Sequence, residues 1–330
     1  MAIDGKLLAK AKTALEEKRR RRDELYQRRL ETVYAKSPRI RLLDAEIRAT
    51  MSELVGAALH TGNGRVEEIR RKNLELQEQR LAELARAGYP AAWLDDGYMC
   101  PICHDTGFTG TEICSCLMEL YKDAQRESLS NLFKLGGETF ENFDLSYYDG
   151  KPDPETGVSP RRSMEAIYET CAEYARKFGK KSMNLFFNGA PGLGKTFLSA
   201  SIARVVADSG FSVVYDAATP VFSKFEEAKF SRAEEQEEAQ AEIKRYLECD
   251  LFIIDDLGTE MTTALTLSAL YEIINTRLVT NKKTIVNSNL TLTEMRRRYS
   301  EQTMSRLEGE YQVLTFRGDD IRKKKNLLFS

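Results

Sequence analysis

The stretch Gly189-Ala190-Pro191-Gly192-Leu193-Gly194-Lys195-Thr196 has the spacing G-x-x-x-x-G-K-T, with an apolar strand-like run before it and a helix-like run after it. Glycines at those places let backbone N–H groups close around a phosphate at the start of a helix, where the helix dipole also favours an anion. Lys195 is placed to reach β and γ phosphates, and the Thr196 hydroxyl to bind Mg²⁺. Farther on, Cys249 to Gly258, CDLFIIDDLG, is an apolar run closed by two carboxylates. Such a run is expected to be a central parallel strand whose C-terminal end lies beside the phosphate loop. Asp255 would then hold the Mg²⁺ shell, and Asp256, turned to the other face, would polarise an attacking water. A cap or turn role explains one aspartate more easily than a pair. Another strand, TIVNSN, ends in Asn289, whose amide could touch the γ-phosphate or that water. The guanine-reading N-K-x-D is absent, since Asn281-Lys282-Lys283 is followed by Thr284, so the expected nucleotide is ATP.

A second chemistry sits upstream. Four of the six cysteines fall between Cys100 and Cys116, as a C-x2-C pair (Cys100, Cys103) and a C-x-C pair (Cys114, Cys116). The N-terminus, MAIDGKLLAKAK, lacks the apolar core of a signal peptide, and no apolar stretch approaches the eighteen or so residues that cross a bilayer, which places the chain in the cytoplasm with no membrane partner. Thiols stay reduced there, so the cluster is expected to be a metal site before a disulfide framework. Two short knuckles, separated by turns at Asp105-Thr106-Gly107 and Gly110, can each offer two thiolates to one tetrahedral zinc. Four cysteines fill a closed, structural site, without His104. A redox dithiol is the competing reading.

Elements must position these groups. Residues 5–87 are rich in Ala, Leu, Glu, Lys and Arg and carry helical periodicity. Ser37-Pro38 reads as an N-cap and first-turn proline, followed by a stripe of Ile40, Leu43, Ile47, Met51 and Leu54. Thr61-Gly62-Asn63-Gly64 interrupts it, and a further helix with Val66, Ile69, Leu76, Leu81 and Leu84 runs to Gly88-Tyr89-Pro90. A helical hairpin or small bundle follows, serving as a spacer or as a docking module. Net charge is -2 overall, but residues 1–90 hold 20 Lys and Arg against 14 Asp and Glu, a net of +6, leaving -8 for the remainder. That excess could meet nucleic acid or an acidic partner, although a solvated helix face explains it as well, also for Lys18 to Arg22, KRRRR. After a connecting stretch, GGETFENFDLSYYDGKPDPETGVSP, strands alternate with helices. The expected organisation is a helical hairpin or bundle over 1–90, a zinc-binding module over 91–120, a linker and lead-in over 121–160, and an α/β P-loop domain over 161–330.

On these residues the chain resembles the DnaC/DnaI-type replicative helicase loaders and their relatives, the IstB transposition ATPases, within the AAA+ class. The likeness runs over about 138–325 and rests on TFENFD, GAPGLGKT, LFIIDDLG, the SNL after the fourth strand, and MSRLEG. It implies an AAA+ core, a parallel sheet flanked by helices. It further implies that Asn289 acts as first sensor, that Arg306 is an arginine finger offered to a neighbouring subunit, and that Arg322 is a second sensor. Asp256 stands where the wider class has glutamate, and nearby Glu260 keeps the base assignment open. Fourteen residues follow QVLTF, too few for a full helical lid.

The resemblance implies an ATPase using ATP, Mg²⁺ and Zn²⁺ that loads a replicative DNA helicase onto single-stranded DNA, working as a homo-oligomer. DnaI-type loaders resemble this layout, with a zinc-bearing N-terminal module that grips the helicase; IstB-like proteins usually lack the cysteines. DNA contacts are expected from the loops after strands two and three, including Lys224, Lys229 and Thr259. The alternatives are an IstB-like transposition helper and an ATP-binding scaffold with little turnover.

Overall fold

The structure, a computed structural model, describes residues 3–60, 63–95, 97–132, 137–154 and 156–328. Packing divides the chain into two compact units, Lys12–Leu117 and Met1–Ala11 with Met118–Ser330.

The larger unit is built on five parallel strands, β3 (Asn184–Asn188), β4 (Val213–Ala217), β5 (Leu251–Leu257), β6 (Lys283–Ser288) and β7 (Tyr311–Thr315), in the order β4-β5-β6-β3-β7. The runs are continuously apolar because both faces are covered, and successive side chains feed different cores. Leu185, Phe187, Val213, Tyr215, Leu251, Ile253 and Ile285 enter one cluster with α5 (Pro160–Arg176) and α6 (Lys195–Asp208). Phe186, Val214, Phe252, Ile254 and Val286 enter the other, covered by α7 (Ala218–Phe230), α8 (Ala233–Glu248), α9 (Ala264–Val279), α10 (Leu292–Arg298) and α11 (Glu301–Glu310). The expected strands at SVVYDAA, LFIIDD, TIVNS and QVLT are all present, and α12 (Ile321–Leu328) follows the last. Residues 4–11 also belong to this unit: Asp4 pairs with Arg245 and Lys6 with Glu242 on α8.

In the smaller unit, α1 (Gly5–Lys36) supplies residues from Lys12 onward, beside α2 (Pro38–His60) and α3 (Asn63–Arg86). Hydrogen bonds from Ser37 to Glu83 and from Asn73 to Thr50 and Ile47 run in opposite chain directions, so α2 and α3 form the antiparallel hairpin. Thr61 and Gly62, the start of the expected interruption, lie outside the described residues, while Asn63 and Gly64 are already helical. At the start of α2 the Ser37 hydroxyl donates to Glu83 on the neighbouring helix at 3.0 Å, and its carbonyl accepts from the Ile40 N–H at 3.1 Å. One apolar cluster joins Val33, Ile40, Leu84 and Leu94 with flanking tyrosines, and polar ties stand beside it. Asp44 accepts from the Tyr34 hydroxyl at 2.8 Å and from Arg80. A hairpin of β1 (Phe108–Thr109) and β2 (Glu112–Ile113) precedes α4 (Ser115–Leu132). Among the described residues no helix is long and apolar enough to cross a membrane.

Candidate functional site

The phosphate loop leaves β3 at Asn188 and becomes α6 at Lys195. Its glycines are required by close approach. A Cβ on Gly189 would stand 2.5 Å from the Phe316 carbonyl oxygen, and one on Gly194, at φ +91°, 2.9 Å from the Tyr148 hydroxyl. Tyr148 in turn donates to the Leu193 carbonyl at 2.8 Å, and the Ile321 N–H to the Gly192 carbonyl at 3.0 Å. The loop is thereby clamped from the lead-in segment on one side and from the segment after β7 on the other.

A cleft of about 340 Å³ opens at this loop. Pro191 through Thr196 line it together with Asp256, Asn289 and Arg322, so the sequence-expected groups of the loop, of two strand ends and of α12 converge. Glu138, Asn142, Phe143 and Tyr147, from the segment containing TFENFD, close its other end. Phe143 packs against Phe197 and Tyr168, with centroids 5.5 and 5.7 Å apart, which fixes an aromatic wall suited to a nucleotide base. Lys195 Nζ donates to the carbonyls of Gly189 and Ala190 at 2.6 and 2.8 Å. Burial pulls its pKa down to about 8, partly offset by Asp256 and Asp255.

Asp255 and Asp256 divide their work through a local irregularity rather than simple strand alternation. The β5–β6 register shifts between Ile254 and Leu257, and Asp256 has φ +53°, a left-handed conformation. A bulge of this kind re-aims side chains next to a site. Asp255 is buried, whereas Asp256 faces the cleft, accepting from Asn289 Nδ2 at 3.0 Å. Burial raises the Asp256 pKa, and the neighbouring Asp255 charge adds to the rise. Glu260 is committed elsewhere: it is buried, accepts from the Gly258 N–H at 2.8 Å and from the Tyr299 hydroxyl, and lies 3.7 Å from Arg298 Nε.

Behind the cleft lies a polar network that sequence reasoning missed. Asp255 Oδ2 accepts from the Tyr215 phenol at 2.6 Å; Oδ1 accepts from Asn287 at 2.8 Å, from the Asp256 N–H at 3.0 Å and from Thr196 at 3.3 Å. Ser199 joins the network, 3.1 Å from the Tyr215 oxygen and accepting from Asn287 at 2.8 Å. The only sequence signal was an asparagine inside the apolar run of β6.

Arg306 is not at this cleft. Its guanidinium donates twice to Asn275 Oδ1, at 2.8 and 3.1 Å, and lies over the Tyr271 ring at 4.9 Å, on the face of α9. Lys224 is paired with Glu227 at 2.6 Å, Lys229 lies 5.4 Å from the Phe230 ring centre, and Thr259 donates to the Asp256 carbonyl. Phe230 and Met261 are exposed by 72% and 82%, leaving apolar surface on the segments that follow β4 and β5.

The four cysteines meet as their spacing anticipated. Their sulfurs lie within 4.8 Å of one another, with Cys100 and Cys114 at 3.8 Å and Cys103 and Cys116 at 3.4 Å. A tetrahedron with Zn–S bonds of about 2.3 Å has edges of about 3.8 Å, so the set fits zinc. The β1–β2 hairpin returns Cys114 to the first knuckle, where its N–H donates to the Gly107 carbonyl at 2.9 Å. Buried Asp105 accepts from the N–H groups of Met99 and Cys100 at 3.1 and 2.7 Å and pairs with Arg22. Arg22 is therefore a structural tie, not part of the solvated face expected for Lys18 to Arg22. Burial opposes ionisation of Cys103, yet the Gly107 N–H and neighbouring thiols bring its pKa down to about 6; Cys116 is pushed up by burial and by the same neighbours.

Comparison with known proteins agrees with this geometry. Residues 169–328, just under half the chain, match the family model described as IstB-like ATP binding protein. The replicative helicase loader DnaC of Escherichia coli is 22% identical over 153 residues, 46% of this chain and 61% of its own length. An insertion sequence ATP-binding protein of Sinorhizobium fredii is 27% identical over 125 residues, 38% of this chain and 40% of its own. The chain thus spans about three-fifths and two-fifths of these relatives. Among solved structures, that of DnaI covers 60% of this chain and all of its own at 19% identity, with a TM-score of 0.45.

Proposed function

We propose that this chain, which carries an IstB-like ATP-binding domain across residues 169–328, uses ATP to place a replicative DNA helicase on single-stranded DNA. The observation that carries the ATPase part is the convergence of Lys195, Thr196, Asp256, Asn289 and Arg322 on one cleft beside buried Asp255. The loop from Gly192 to Thr196 presents backbone N–H groups to the phosphates, and Lys195 exchanges its two carbonyl partners for phosphate oxygens. Thr196 and Asp255 would hold Mg²⁺, which when bound neutralises charge developing on the phosphates. Asp256, held by Asn289, polarises the attacking water, and Arg322 supplies positive charge at the cleft. Glu260, already engaged by Arg298 and Tyr299, leaves Asp256 as the base.

The loader reading is supported by the likeness to DnaC together with the cysteine cluster, which fits one structural zinc and lies between helical residues 1–90 and the ATPase residues. In this account the helical and zinc-bearing residues grip the helicase. Arg306 completes the ATP site of a neighbouring copy in a homo-oligomer, once released from Asn275. Phe230 and Met261 offer surfaces on which bases stack, with Lys229 and Thr259 meeting phosphates. The acidic start of α8, Glu234 to Glu238, weighs against a broad electrostatic track there. A transposition helper is the second reading, favoured by the insertion-sequence relative. ATP turnover with and without single-stranded DNA, joined to co-purification with the host's replicative helicase, tests the proposal. Stimulated turnover and helicase capture are expected; scarce turnover with or without DNA and no capture would leave an ATP-binding scaffold.

A further inference from the structure

Asp255 stands out for how completely its surroundings fix it. A carboxylate serving a metal through one oxygen must not rotate, and must stay ionised while buried. Oδ1 is turned toward Thr196, the other expected metal-holding residue, and shares Asn287 and the Asp256 N–H. Oδ2 accepts at 2.6 Å from Tyr215, which stands on the edge strand β4, next to β5 in the sheet. Tyr215, Ser199, Asn287 and Asp255 are all buried, so water cannot replace a lost donor.

We infer that Tyr215 is a positioning residue for the metal: by holding Oδ2 it fixes the Asp255 carboxylate with its other oxygen directed at Thr196, so Mg²⁺ affinity depends on a side chain remote from the phosphates. The inference rests on the cleft binding Mg²⁺-nucleotide. A role in packing alone would follow the aromatic ring, which sits in the core formed with Leu251 and Ile253. Tyr215→Phe keeps that ring and removes only the donor.

The test is binding of a fluorescent ATP analogue to the full chain, measured against free Mg²⁺ concentration. Tyr215→Phe should raise the half-saturating Mg²⁺ by roughly ten-fold, as loss of an outer-shell partner does. Affinity in EDTA should stay near wild type, while the melting temperature should fall by a few degrees, since a buried carboxylate oxygen loses its donor. Mn²⁺, which binds such sites more tightly, should need less excess than Mg²⁺. Tyr215→His, which retains an N–H donor, should recover part of the shift and covers the case in which the phenylalanine variant folds poorly. A folded Tyr215→Phe with wild-type Mg²⁺ dependence, or one losing affinity equally with and without metal, would overturn the inference. If wild type itself binds the analogue no better with Mg²⁺, the nucleotide reading fails first and takes this one with it.

Discussion

Asn289, the residue after β6, donates its amide to Asp256 Oδ1 at 3.0 Å, linking the ends of two adjacent strands across the mouth of the cleft. That bond favours the ionised carboxylate, against burial and the Asp255 charge, which both raise the Asp256 pKa. Asp256→Asn should therefore keep nucleotide affinity while turnover falls by about 10²–10⁴-fold. Single-turnover hydrolysis beside equilibrium binding separates the two effects.

The same bond sets a pH dependence. With Asp256 as the proposed base, turnover should fall on the acid side, at a pH above that of an ordinary aspartate. Asn289→Ala removes the group that lowers the pKa, so the acid limb should move to higher pH. A pH profile of kcat for both proteins checks the direction.

Lys195 provides a second limb. Its pKa of about 8 in the free protein rises when phosphates replace carbonyl partners, so nucleotide binding should take up a proton above pH 8 and weaken as pH climbs from 7 to 9. Calorimetry in buffers of different ionisation enthalpy reads that proton directly. Lys195→Ala should abolish binding or turnover at every pH with the fold intact.

Arg306→Ala should bind ATP nearly normally yet fail to hydrolyse it in an assembly. Mixing it with Lys195→Ala should recover part of the activity, since each variant retains what the other lacks. No recovery at any ratio would assign Arg306 to its observed role, packing on Asn275 and Tyr271 within its own chain.

Protein purified under reducing conditions should carry about one equivalent of zinc, and chelation should unfold the residues around Cys100 to Cys116 while ATP binding persists. Cys103→Ser should lose metal and helicase capture together but keep nucleotide binding. Metal-free protein that still captures the helicase would remove the support for an adaptor.

Much of this site was legible in sequence because its spacing rules are local. The phosphate-loop spacing is complete within eight consecutive residues, Gly189 to Thr196, and the two cysteine pairs within the seventeen from Cys100 to Cys116, although the segments that crowd the loop glycines, at Tyr148 and Phe316, are distant in sequence. The strands announced themselves as apolar runs since both faces of the sheet are covered. What stayed hidden depends on distant juxtaposition. Nothing near Tyr215 marks it as the partner of Asp255, because β4 and β5 are joined through two helices. Nor did the aspartate pair reveal its bulge, since Asp256 reaches the cleft by a left-handed backbone that alternation does not encode. Arg22 looked like one charge in a basic run until Asp105, 83 residues on, took it as a partner.

Loading can be read from the amount of the host's replicative helicase retained on circular single-stranded DNA after a salt wash. With this chain and ATP present, retention should rise several-fold over helicase alone, and Lys195→Ala should return it to the helicase-only level. Retention unchanged by the chain, or raised equally by Lys195→Ala, would contradict ATP-dependent loading.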